Sequence, residues 1–83
     1  MLVVLRKSAA REIEELPEEY YSRIKKCVLS LADDPFPRGT KKLTSRELYR
    51  IRVGPYRIVY EVDKARKTVT VNTVRHRKEV YRR

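Results

Sequence analysis

Between Tyr49 and Val62, apolar and polar residues alternate on both sides of a Gly-Pro pair, and no other stretch of the chain limits its fold so tightly. Tyr49, Ile51 and Val53 alternate with Arg50 and Arg52. After Gly54-Pro55, Tyr56, Ile58, Tyr60 and Val62 alternate with Arg57, Val59 and Glu61. Period two is the side-chain period of a strand, so the segment predicts a β-hairpin with one apolar face. An isolated hairpin is marginal in water, so that face needs a cover.

The N-terminal half supplies one. Leu2–Leu5 is a short aliphatic run that suits a buried strand. Ser8 is positioned as the N-cap of a helix through Leu16, with Ala9, Ile13 and Leu16 on one face. Pro17 ends that helix and opens a second, whose stripe is Tyr20, Ile24, Cys27, Val28 and Leu31 and whose end is set by Asp34-Pro35. Residues 35–40 read as a loop. Asp63–Lys67 is a turn, and Thr68–Val74 is a third strand of the sheet. Apolar spacing through Val69, Val71 and Val74 slips by one residue. A bulge near Thr73 is therefore expected to decide which way Arg75 and His76 face.

The expectation is a single α+β domain over residues 1–83, in the order β-α-α-β-β-β. Two N-terminal helices pack on one face of a small antiparallel sheet, and the other face stays open and carries the arginines.

Charge says what that open face is for. Residues 1–37 hold 6 Lys/Arg and 7 Asp/Glu, whereas residues 38–83 hold 15 Lys/Arg and 4 Asp/Glu, so the whole excess of +10 lies in the second half. One-sided excess repels itself, and a polyanion relieves it. If Tyr49, Ile51 and Val53 point to the helices, Arg50 and Arg52 point away. Arg57 then lies across the hairpin from Arg52 or its neighbour, leaving three guanidinium groups within about 5–8 Å. Sheet stability alone does not call for this; a phosphate between them would. The bland alternative is a solvated face whose arginines pair with Glu47, Glu61 and Glu79. The C-terminal run adds Arg75, His76, Arg77, Lys78 and Tyr81, cations interleaved with an aromatic, as single-stranded nucleic acid requires. A frayed basic terminus is the alternative there.

Other chemistries are excluded. Cys27 is the single cysteine, so no internal disulfide forms, and a reducing cytoplasm is the expected location. One His, one Cys and only Gly39 and Gly54 leave no metal cluster and no glycine-rich phosphate loop, so no cofactor is expected. Asp33-Asp34 reads as a helix terminus rather than a metal pair. The apolar start, Met1–Leu5, is too short for a signal peptide or a membrane span.

Leu48–Val62 resembles the hairpin of the RelE/ParE toxin superfamily. His76–Tyr81 is similar to the closing motif of its ribonuclease branch, and Lys41-Lys42-Leu43 sits where the family places its pre-hairpin loop. The resemblance spans nearly the whole chain. It implies the toxin of a type II toxin–antitoxin pair, held inactive by a RelB-like antitoxin. Once free, it would enter the ribosomal A site and cleave mRNA, without metal, by attack of the 2′-hydroxyl on the adjacent phosphate. By position, Arg50 and Arg52 match the basic pair of the first hairpin strand, and Arg57 matches the phosphate-stabilising arginine. Arg75 or Arg77 matches the last-strand arginine, and Tyr81 the tyrosine that stacks on a base. Lys41, Lys42, His76, Arg77 and Lys78 would hold RNA.

Two departures bear on mechanism. Some members carry lysines where this chain has Arg50 and Arg52, and arginine stays protonated, so it cannot serve as a general base. Others use a loop glutamate where this chain offers Lys41 and Lys42. Proton transfer would fall to His76, Tyr81 or a lysine. The same superfamily fold also serves ParE-like gyrase poisons, and a toxin-fold module that only binds is a third reading.

Overall fold

A computed structural model describes residues 1–43 and 47–80. The hairpin forms where the alternation puts it: β3 (Leu48–Val53) and β4 (Tyr56–Asp63) pair antiparallel from Leu48↔Glu61 to Val53↔Tyr56 without a register shift. Gly54 turns the chain at φ 59°, a conformation that L side chains rarely adopt.

β5 (Thr68–His76) pairs antiparallel with β4 and runs two residues beyond Val74, because Tyr56 and Arg57 offer partners to His76 and Arg75. β2 (Lys41–Lys42), inside the segment read as a pre-hairpin loop, adds a two-residue strand to β3. β1 (Leu2–Leu5) lies at the other edge, giving the order β1-β5-β4-β3-β2.

The sheet is mixed rather than wholly antiparallel, because β1 runs parallel to β5. A long helical connection separates β1 from the rest, and only such connections permit parallel neighbours. β1 is also not a buried strand. As an edge strand with one uncovered face, it leaves Leu2 66% and Val4 41% exposed.

α1 (Lys7–Glu14) and α2 (Glu18–Ser30) cover the apolar sheet face. Ala9, Ile13, Ile24, Val28 and Leu31 meet Tyr49, Ile51, Ile58, Tyr60, Val62, Val69, Val71 and Val74 in one core. Burying each of the larger side chains is worth about 1.5–3 kcal/mol. Ser8 does not cap α1. Arg6 occupies the cap position without a side-chain bond, and the Ser8 hydroxyl instead donates to the Asn72 carbonyl at 3.1 Å. Pro17 stands just outside α2, its carbonyl accepting the amides of Tyr20 and Tyr21. α2 stops at Ser30, four residues before Asp34, in a tight turn where the amides of Leu31, Ala32 and Asp33 reach back only three residues.

The loop after α2 is pinned to the far end of the core. The Tyr60 hydroxyl donates to the Pro35 carbonyl at 2.7 Å and takes the Thr40 hydroxyl at 3.2 Å, while Phe36 packs edge-on against Tyr49. Among the described residues no charged residue belongs to the core, whose polar groups are the tyrosine hydroxyls at this end.

Candidate nucleic-acid interface

The uncovered sheet face carries the site. Register fixes which side chains share it, since partners across neighbouring strands point the same way. Arg52 pairs with Arg57 and Arg57 with Arg75, so three arginines from three consecutive strands form one row. Directly beside it runs a second row, Lys41–Arg50–Val59–Thr73. Arg38, Gly39, Lys41, Arg50, Ile51 and Arg52 line an open groove of about 360 Å³. Arg52 and Arg75 are exposed; Arg50 and Arg57 are half-buried. Adjacent arginines at strand spacing repel one another, and an anion bridging them reverses the sign of that interaction.

A bulge makes the three-membered row possible. Val59 pairs with Thr73 but Tyr60 pairs with Val71, leaving Asn72 as the extra residue. Uninterrupted pairing from Val71 would bring Val74 opposite Arg57 and turn Arg75 toward the helices. The bulge lies beside Thr73, where it was expected from sequence, and has the expected effect.

The same alternation sends His76 the other way. It pairs with Tyr56, their rings meeting edge-on at 5.3 Å, and Tyr56 in turn packs on Tyr20 at 5.1 Å. His76 Nδ1 accepts the Lys78 amide at 3.1 Å, which leaves the ring proton on Nε2 in the neutral form. His76 therefore lines a hollow with Glu12, Glu15, Leu16, Tyr56 and Val74 on the helix side, away from the open face that Arg52 and Arg57 share. Arg77 and Lys78 are exposed in the single turn α3 (Arg77–Val80), whose first amide is fixed to the Pro55 carbonyl at 2.8 Å. Lys41 joins the arginine face through Arg50, whereas Lys42 pairs with Tyr49 and sits 3.7 Å from Glu47. Tyr81 lies outside the described residues.

Among the described residues, Glu47, Glu61 and Asp63 gather at the other end of the open face from the row, around a second hollow. Glu61 engages Arg6 at 3.5 Å rather than a row arginine. The Tyr49 hydroxyl donates to Glu47 at 2.6 Å, and this bond, with help from Lys42 and Lys64, holds the Glu47 carboxyl below its ordinary range. The side chain of Glu79 is not among those described. Among the described residues Glu12 of α1 does reach the row, and sequence reasoning missed it: its carboxylate accepts Arg75 Nε at 2.9 Å. Nothing in a residue 63 positions away along the chain announces that contact.

The arrangement has cations in register and little else. Burial pushes the Cys27 thiol above its ordinary pKa, which disfavours the thiolate. Among the described residues no group of three or more His, Cys, Asp or Glu side chains could hold a metal, and no helix is long and apolar enough to cross a membrane.

A five-stranded sheet backed on one face by two helices is the build of a small toxin of the RelE/ParE superfamily. Residues 3–81 match the model of the ParE toxin of type II toxin–antitoxin systems (parDE), and the chain belongs to that family. A putative toxin RelE1 from Methanocaldococcus jannaschii is 25% identical over 84 residues, covering 96% of this chain and 93% of the relative. The toxin fold in the RelB–RelE antitoxin–toxin complex of Methanococcus jannaschii superposes with a TM-score of 0.78 at 28% identity, covering 94% of each chain. The RelE–RelB complex of Pyrococcus horikoshii gives 0.79 at 27% identity, covering 92% of this chain and 93% of that one.

Proposed function

We propose that this toxin is an endoribonuclease that cuts messenger RNA, in the ribosomal A site, without a metal ion. The observation that carries the reading is the in-register row Arg52–Arg57–Arg75 on the face the helices leave bare. One RNA phosphate spans such a row. In the reaction the 2′-hydroxyl gives up its proton as its oxygen bonds to the adjacent phosphorus, the bond from phosphorus to the 5′-oxygen breaks and that oxygen takes up a proton, and the products are a cyclic phosphate and a 5′-hydroxyl. The phosphorane between them carries an extra negative charge. Permanent cations preset around it stabilise it more than they stabilise the substrate, commonly the largest catalytic term.

Arg57 is the central member, flanked by Arg52 and Arg75. Arg50, Lys41 and Arg38 continue the positive surface for neighbouring phosphates, and Arg77 and Lys78 extend it past β5. Arginine cannot take the 2′-proton. Tyr81 is the residue the family resemblance assigns to stacking on a base and orienting the 2′-hydroxyl. The natural restraint on such a surface is an antitoxin of the RelB kind presenting acidic and apolar residues; binding at 100 times its Kd would stabilise the toxin by about 2.7 kcal/mol.

The deciding experiment is incubation with translating ribosomes, followed by mapping of the messenger ends. Cuts in phase with codons, bearing cyclic phosphate and 5′-hydroxyl termini, support the reading. Intact messenger together with DNA breaks in expressing cells would replace it with gyrase poisoning.

A further inference from the structure

We propose that Glu12 of α1 is a positioning residue for Arg75, holding that end of the guanidinium row in the orientation a phosphate meets. The proposal rests on the ribonuclease reading above.

The reason begins at a sheet edge. β1 pairs only with Thr68–Val71, so beyond Val71 the outer edge of β5 has no strand beside it. α1 takes the missing strand's place. Ser8 Oγ donates to the Asn72 carbonyl at 3.1 Å, Glu12 Oε1 accepts the Val74 amide at 2.9 Å, and Glu12 Oε2 accepts Arg75 Nε at 2.9 Å. A single carboxylate thus fixes a backbone amide and the next residue's side chain together. From the other side, Arg6 Nε donates to Asn72 Oδ1 at 2.7 Å, so the bulge that aims Arg75 is held at both faces. The Glu12 side chain is only 21% exposed, against 43% for Arg75, so the acid is the better-anchored partner.

Which nitrogen is used matters. Glu12 takes Nε at one edge of the planar guanidinium, and the end-on pair of N–H donors, one from each terminal nitrogen, points away from that contact as a fork that matches a phosphate. Arg57 beside Arg75 pushes it away, and an exposed arginine has many rotamers that would carry it out of the row. A carboxylate at Nε opposes both effects without covering the fork.

Position and charge forecast opposite results for Glu12→Gln. The substitution deletes a negative charge next to the row, so a purely electrostatic role would tighten RNA binding and raise the rate. A positioning role lowers kcat on the order of 10-fold or more, because small misplacements of a reacting group are costly, with KM unchanged or lower. Glutamine still offers an oxygen to the Val74 amide, so the fold is kept, which thermal unfolding checks. In an Arg75→Ala background, Glu12→Gln should have no further effect on kcat.

The test is single-turnover cleavage of messenger on programmed ribosomes by the full chain as wild type, Glu12→Gln, Arg75→Ala and the double variant. It is paired with nitrogen-15 spectra of the Arg75 Nε–H, whose exchange with water should speed up in Glu12→Gln. Lowered kcat, lost protection and no additional defect in the double variant support the proposal. An active wild type with Glu12→Gln equally fast or faster, or with its defect undiminished in the Arg75→Ala background, overturns the positioning role and leaves the ribonuclease reading standing. A wild-type chain that cuts no messenger overturns that reading, and the proposal with it.

Discussion

Arg52 and Arg57 are direct partners across the β3–β4 hairpin, one pair in from the closing pair Val53↔Tyr56. Two like charges beside a tight turn weaken a hairpin that carries them for no purpose. Their placement makes Arg57 the residue whose loss should be felt most. Arg57→Ala should lower the single-turnover cleavage rate on the order of 10²–10³-fold, the usual cost of removing one preset donor to a developing anion. Lys67→Ala should leave the rate alone, since Lys67 ends the turn before β5, at the other end of β4 from Arg57. Growth arrest on expression should follow the same order, and equal toxicity of the two variants would contradict the site.

Gly54 links that hairpin to the helices. At φ 59° it tolerates a side chain poorly, and an added Cβ would meet Tyr20 Cε1 at 2.9 Å. Tyr20 cannot easily yield, because its ring packs against Tyr56 and lies under Arg23. Gly54→Ala should therefore destabilise the fold by about 1–3 kcal/mol, as overpacking does. Denaturant unfolding measures it. A variant as stable as wild type would mean that the turn and Tyr20 are not wedged together.

Tyr60 predicts how the fold responds to alkali. Burial raises its pKa above the ordinary 10.0, with the Thr40 hydroxyl acting the other way. In the unfolded chain the phenol ionises first, so the neutral folded form contributes fully below about pH 10 and its contribution is lost as pH rises beyond that. Stability should fall on titration upward from pH 10. Tyr60→Phe should flatten that fall while costing about 1–2 kcal/mol at neutral pH, because the Pro35 carbonyl loses its donor. An equally steep fall in the variant would assign the alkaline loss to another group.

Much of this was legible in the chain. Strict alternation from Tyr49 to Val62 specified the hairpin and the face of Arg50, Arg52 and Arg57, because the strand period leaves only two sides to choose from. The slip after Val71 announced the bulge near Thr73, and the pairing makes Asn72, the residue before it, the extra one. What local pattern cannot carry is pairing at long range. The parallel partner of β1, the two-residue strand Lys41–Lys42 and the reach of Glu12 to Arg75 each depend on where distant elements come to rest. His76 illustrates the link between the two kinds of information. Grouped with the basic tail, it reads as RNA-facing, but the bulge that brings Arg75 to the row turns its neighbour toward Tyr56.

Salt should weaken the hold of the arginine row on RNA. Contacts to single-stranded RNA release counterions, so log K should fall with log salt by about 0.7 per phosphate neutralised. A short RNA with a 2′-deoxy nucleotide at the scissile position binds without being cut, and fluorescence anisotropy gives the slope. Arg52 is exposed within the row, so Arg52→Ala should weaken binding and flatten the slope by about 0.7. Arg66 is equally cationic but lies in the β4–β5 turn, 3.9 Å from Asp63 at the acidic end of the open face. Arg66→Ala should leave the slope unchanged. If both variants flattened it alike, RNA would be held by net charge spread over the chain, and the register of the row would have no part in recognition.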